Sequence, residues 1–362
     1  MKLAIASDQP ATTALLREIA HLCAAHGAQW HPQLQVEVIE GAMRLLAPPE
    51  TTGALISLPT ELLLPIEAAQ WSGSADALQL LQPPPGATAV QRELLQLHVE
   101  LYNATGKVPW WSSQHPARLV AASAHVAAAL APLKPGYGAK LERSAAEGFL
   151  ATRSFGWKPS PDQGDRGPVL MPLIDLLNHH HKGAPFAISD GAMRIKAAQA
   201  GGCECFAHYG HRRDVLDLAL HYGHCDHSTP FAHSAPLEIT VEGVGTIRVE
   251  HQGQRAPLHP FDPPHVTLEA DGLRISHLCC HLEHPARVRT MLRLALQGSL
   301  KRRGHTEQVA ARLAEQGLQA VAAANISLLD QLRHATEASQ HPGAAILAAA
   351  TQRQGAIISA VI

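Results

Sequence analysis

Apolar and polar residues recur along this chain with two periods, and the period changes several times. Residues 11–27 set Leu15, Leu16, Ile19, Leu22 and Cys23 at helical intervals, and Gly27 is a natural stop. Val36, Val38 and the stretch 43–46 suggest short strands. An apolar run at 54–58, closed by Pro59, predicts a buried strand with a sharp exit. From 61 to 153 the spacing is mainly helical, with helices expected over 60–71, 87–103 and 116–131. The proline-rich stretch 82–85 and Trp110-Trp111 mark breaks.

A polar Pro/Gly-rich loop is expected at 159–168, followed by an apolar run at 169–177 that ends at Asn178-His179. The segments 186–188 and 193–197, joined by Ser189-Asp190-Gly191, predict a β-hairpin. Residues 203–208 predict a strand leading into Tyr209-Gly210, and 213–222 a helix. Alternation between 237 and 278 suggests two small hairpins, and 285–362 reads as several helices rich in Ala, Leu and Arg. The order is small strands, an inserted helical block, small strands again and a helical tail. That is an α+β class, without the βαβ alternation of a nucleotide-binding fold. No GxGxxG, GxxxxGK[ST] or GxSxG occurs.

Composition refines this picture. A chain of 362 residues suggests two domains, and 46% hydrophobic residues can fill a sizeable core. None of its aromatic residues lies beyond Phe261, so the tail must pack with aliphatic side chains. A net charge of −2 argues against a dedicated nucleic-acid binder. Six cysteines without a CxxC argue against a disulfide scaffold, so a reduced, cytoplasmic location is expected. The N-terminus does not look like a signal peptide, and no apolar run would span a bilayer. Of 24 histidines, 14 fall between His179 and His281. Their spacing matches no HExxH site, so no metal is expected.

The chemistry concentrates between 150 and 225, in LATRSF (150–155), MPLIDLLNHH (171–180), CECFAHYG (203–210) and DLALHYGH (217–224). Each dipeptide alone means little; the ordered set is specific. It resembles the SET-domain methyltransferases, in the branch of the Rubisco large-subunit lysine methyltransferases. The resemblance covers roughly residues 10–235 by motif and the remainder by architecture. It implies a SET domain over 1–235 with a helical insert at about 61–150, then a mainly helical substrate-binding-like domain over 236–362.

The resemblance also implies roles. Asn178, His179, Arg153, Thr152, Glu40 and Gly41 match cofactor-contacting positions for S-adenosylmethionine. Tyr209 matches the catalytic tyrosine, Tyr222 lines the lysine channel, and Asp175 matches an acidic residue near the substrate. The implied partner is a protein substrate docked between the two domains of a monomeric enzyme, with no nucleic acid or membrane involved. Three departures stand out. The glycine expected near Met43 is missing, Asp214-Val215 replaces a common Ser-Asn, and His224 follows Tyr222-Gly223. The resemblance implies lysine methylation of a non-histone protein. Histidine methylation on the same fold, or a SET-fold binding module without catalysis, are the alternatives.

Overall fold

The computed structural model describes residues 3–73, 76–140, 144–157, 167–210, 213–250 and 262–362. Most of the loop expected at 159–168 lies outside the described residues. The architecture is α+β: small sheets are followed by a helical C-terminal region. The chain forms two compact units, residues 1–113 with 142–209, and 114–141 with 210–362. Packing therefore groups 210–235 with the tail.

In the first unit, the helix Pro10–Ala25 starts with proline at its first position and buries Leu16, Ile19, Ala20 and Cys23 on one face. Gly27, at φ 90°, lets the chain turn away. A five-stranded sheet runs in the order Ala4–Ser7, Gln35–Ile39, Ala42–Leu46, Glu204–Ala207, Asn178–Ala184. Its outer pairs are parallel and its inner pairs antiparallel. A second, antiparallel sheet joins Ala187–Ser189, Ala192–Lys196, Ala54–Pro59 and Gln29–Trp30. The hairpin expected around Asp190-Gly191 is present. Both residues have positive φ, 50° and 70°, as a tight two-residue turn requires.

The segment 60–71 is not the helix expected. A short 3-10 turn, Thr60–Leu62, leads into the strands Leu64–Pro65 and Gln70–Gly73. Leu64–Pro65 pairs with Gly167–Leu170, and Gln70–Gly73 with Leu78–Gln82. Among the described residues of the helical insert expected at about 61–150, the first α-helix begins at Ala89. There the helix Ala89–Ala104 opens on a capping box between Thr88 and Gln91.

In the second unit, the two hairpins expected at 237–278 form one four-stranded sheet. Leu237–Val241 pairs with Gly245–Val249, Val266–Leu268 pairs with Gly272–Ile275, and a parallel ladder joins the two hairpins. Three long helices follow, Pro285–Arg302, Glu307–Glu337 and Gly343–Val361, and their buried faces are mostly aliphatic. Asn325 is buried among them. It accepts from the Ala235 N–H and donates to Ser234 Oγ and the Val321 carbonyl, at 2.8 Å each. Among the described residues, no helix is long and apolar enough to cross a membrane.

Acid sensitivity follows from His115, which is 1% exposed and caps the helix Pro116–Ala122 by accepting from the Ala117 N–H at 3.1 Å. Burial, aided by the nearby Arg118 and His224 and opposed by a bond to the His221 backbone, pushes its pKa down to about 4. An unfolded chain binds a proton there near pH 6.5 and the folded chain does not until about pH 4. This group's contribution is therefore lost progressively as pH falls through that window, by about 3 kcal/mol in total. Urea titrations between pH 7 and 4 should show a loss of stability that is smaller in His115→Gln.

Candidate active site

The site is built in the first unit by two neighbouring strands. Asn178–Ala184 and Glu204–Ala207 run parallel, with Asn178 opposite Phe206 and His179 opposite Ala207. Tyr209 lies just past the end of the second strand. Its backbone N–H donates to His179 Nδ1 at 3.1 Å, and the two rings lie 5.1 Å apart. Its hydroxyl donates to the Leu177 carbonyl at 2.5 Å. The parallel register thus places Asn178-His179 beside Tyr209, across about 30 residues of sequence.

Asn178 reaches the other way. Its amide donates to the Met43 carbonyl at 3.1 Å and to Glu204 Oε1 at 2.8 Å. Met43 takes part through its backbone, which any residue supplies, so the missing glycine does not remove this contact. Glu204 and the Leu177 carbonyl carried no signal in the sequence.

Glu40 and Gly41 form the turn between Gln35–Ile39 and Ala42–Leu46, with φ 49° and 73°. The Glu40 N–H donates to Asp8 Oδ2 at 2.8 Å. A Cβ on Gly41 would lie 2.2 Å from the Thr105 carbonyl oxygen. The glycine is thus required by the turn and by close packing. Thr152 ends the helix Ala145–Ala151, and its hydroxyl donates to the Phe149 carbonyl at 2.7 Å.

Arg153 Nη1 lies 3.4 Å from the Asp175 carbonyl. Its Nε is buried and has no hydrogen-bond partner among the described residues. A buried cationic donor left in this way fits an anionic group of a bound molecule, such as the carboxylate of an amino-acid cofactor. Asp175 points inward instead: its side chain is 0% exposed, and Tyr102 donates to its Oδ2 at 2.6 Å. Tyr222 belongs to the second unit, at the end of the helix Val215–Tyr222, where Gly223 at φ 75° closes the helix. The Arg213 guanidinium lies 4.9 Å from its ring centroid and donates to its hydroxyl.

Burial pushes the Tyr209 hydroxyl up to about 12, with Asp175 and Glu204 acting in the same direction and Arg153 against it. The phenol is therefore protonated across the physiological range. Burial and Arg153 push Lys107 down to about 8.

No family model matches this sequence, and no curated protein does. Several solved structures match, among them the crystal structure of the SET domain of LSMT bound to lysine and AdoHcy, with a TM-score of 0.43 and 12% identity. The match covers 97% of this chain and 91% of that one. So loose a likeness assigns no role to any residue.

Gly41→Ala should destabilise the protein by about 2 kcal/mol or more, because alanine resists positive φ and its methyl would strike the Thr105 carbonyl. Urea unfolding should show a lower midpoint at an unchanged slope.

Proposed function

We propose that this chain is an S-adenosylmethionine-dependent protein methyltransferase of the SET type, acting on a lysine of a non-histone protein. The observation that carries this reading is the parallel register that sets Asn178-His179 beside the strand leading into Tyr209, whose N–H donates to His179 and whose hydroxyl donates to the Leu177 carbonyl. The ordered motifs around them support it. In this reading Asn178, His179 and Arg153 hold the cofactor, which supplies an electrophilic methyl group for direct displacement.

The rest is the work of the chain's own groups. Tyr209 is neutral, and its proton is committed to the Leu177 carbonyl. Toward a substrate its oxygen is therefore an acceptor. An amine N–H donated to that oxygen turns the nitrogen lone pair toward the reacting carbon. The Leu177 carbonyl adds a second oxygen beside it, suited to weak C–H···O contacts with a polarised methyl. An attacking lysine must be neutral, and desolvation against partly buried walls lowers its pKa. Alignment and preorganised polarity then supply the rate, with no side chain needed as a covalent nucleophile.

Calorimetry of the purified protein with S-adenosylhomocysteine should show saturable binding that Arg153→Ala weakens; an absence of binding to the wild-type protein removes the enzyme reading. Tyr209→Phe should lower labelled methyl transfer to an immobilised lysine-peptide library by about 100-fold while leaving cofactor binding intact. Mass spectrometry of the modified peptide distinguishes a lysine from a histidine acceptor.

A further inference from the structure

One buried side chain next to this site belongs to no motif and takes no part in the proposed chemistry. Tyr102 lies on the helix Ala89–Ala104, 0% exposed, and its hydroxyl donates to Asp175 Oδ2 at 2.6 Å. The other carboxylate oxygen, Oδ1, has no hydrogen-bond partner among the described residues; His98 Nε2 stands 4.0 Å from it. A buried carboxylate is costly to leave without donors, so the position of Asp175 is tied to that of the Tyr102 hydroxyl.

Asp175 is the middle residue of the 3-10 turn Ile174–Leu176. The residue that follows the turn is Leu177, whose carbonyl receives the Tyr209 hydroxyl. The turn is entered through Leu173 at φ 66° and ψ −35°. A leucine keeps such a left-handed conformation only where its surroundings enforce it. The backbone bonds of the turn are local, from the Asp175 N–H to the Met171 carbonyl and from the Leu177 N–H to the Ile174 carbonyl. They shape the turn without locating it. The bond from Tyr102 spans 73 positions and ties the turn to a different element.

We propose that Tyr102 is a positioning residue: its hydrogen bond to Asp175 holds the 174–176 turn and so sets the Leu177 carbonyl that aims the Tyr209 hydroxyl. The importance of that aim rests on the methyltransferase reading above, but the geometry is testable without turnover. Asn178 is held separately, by Met43 and Glu204. Arg153, which also holds the cofactor in this reading, reaches the Asp175 carbonyl only at 3.4 Å, so loss of the Tyr102 hydroxyl should disturb Tyr209 far more than cofactor binding.

The chain has four tyrosines, so full-length protein labelled at tyrosine Cζ gives a spectrum in which each can be followed by NMR. In Tyr102→Phe the Tyr209 resonance should move, while those of Tyr137 and Tyr222 in the second unit stay. The dissociation constant for S-adenosylhomocysteine should change by less than about threefold. A Tyr209 resonance that stays in place overturns the proposal, as does a loss of affinity beyond about tenfold, which would make the bond a general support of the site.

Two further variants separate the bond from packing and from charge. Phe149→Leu alters the ring packed edge-on against Tyr102 at 5.2 Å and keeps the hydroxyl. Asp175→Asn keeps an oxygen acceptor for Tyr102 and removes the charge. Both should leave Tyr209 near its wild-type position, and a displacement in either as large as in Tyr102→Phe overturns the proposal. If Tyr102→Phe fails to fold, Asp175→Ala, which removes the acceptor of the same bond and keeps the tyrosine ring, should displace the Tyr209 resonance, and a resonance that stays in place overturns the proposal. Wild-type protein that does not bind S-adenosylhomocysteine defeats the methyltransferase reading alone, and the resonance comparison still decides the role of Tyr102.

Discussion

The parallel pairing of Asn178–Ala184 with Glu204–Ala207 is the constraint on which the candidate site depends. Parallel neighbours cannot be joined by a tight turn and need a long crossover. Here the crossover contains the hairpin of Ala187–Ser189 and Ala192–Lys196, which pairs with Ala54–Pro59 in the second sheet. The two sheets of the first unit are thereby linked by the same segment that aligns Asn178-His179 with Tyr209. A one-residue slip in that ladder would turn alternate side chains to the opposite face and separate His179 from the Tyr209 N–H.

Much of the site is made of backbone. The Leu177 carbonyl, the Met43 carbonyl and the Tyr209 N–H each make one of its contacts. Backbone groups tolerate a change of residue type, which is why a missing glycine near Met43 is compatible with an intact contact from Asn178. Glycine is needed at Gly41 for a different reason, the approach of the Thr105 carbonyl.

In the second unit, buried charge takes the organising role. Asp214 caps the helix Val215–Tyr222 and is 0% exposed. It accepts from Lys134, the Asp217 N–H, the His233 N–H and Gln354. Burial works against its charged form, but Lys134 and these donors hold the carboxyl well below the usual range. Partial burial and the charge of Asp214 raise the pKa of Asp217, although it shares Lys134 at 2.7 Å. One lysine thus holds a carboxylate pair that joins three separate stretches of chain.

Local periodicity was enough to place the first helix, the strands around Val36 and Leu45, the hairpin at Asp190-Gly191 and the aliphatic helices of the tail. In each, the pattern of buried faces and the turn residue lie within a few positions of one another. Residues 60–71 misled because Leu62-Leu63-Leu64 fits a helix as well as a strand, and pairing with Gly167–Leu170 decided between them. The strands of 237–278 were legible, but not their union, which is a non-local parallel ladder. At the candidate site, the sequence alone determined the residue types, Asn178, His179, Arg153 and Tyr209, and their order. Only the tertiary structure decided that the Asp175 carboxylate turns inward to Tyr102, and that Glu204 and two carbonyls complete the arrangement. Side-chain period reports which face is buried; which distant atom satisfies a buried donor or acceptor depends on three-dimensional proximity, which no local pattern encodes.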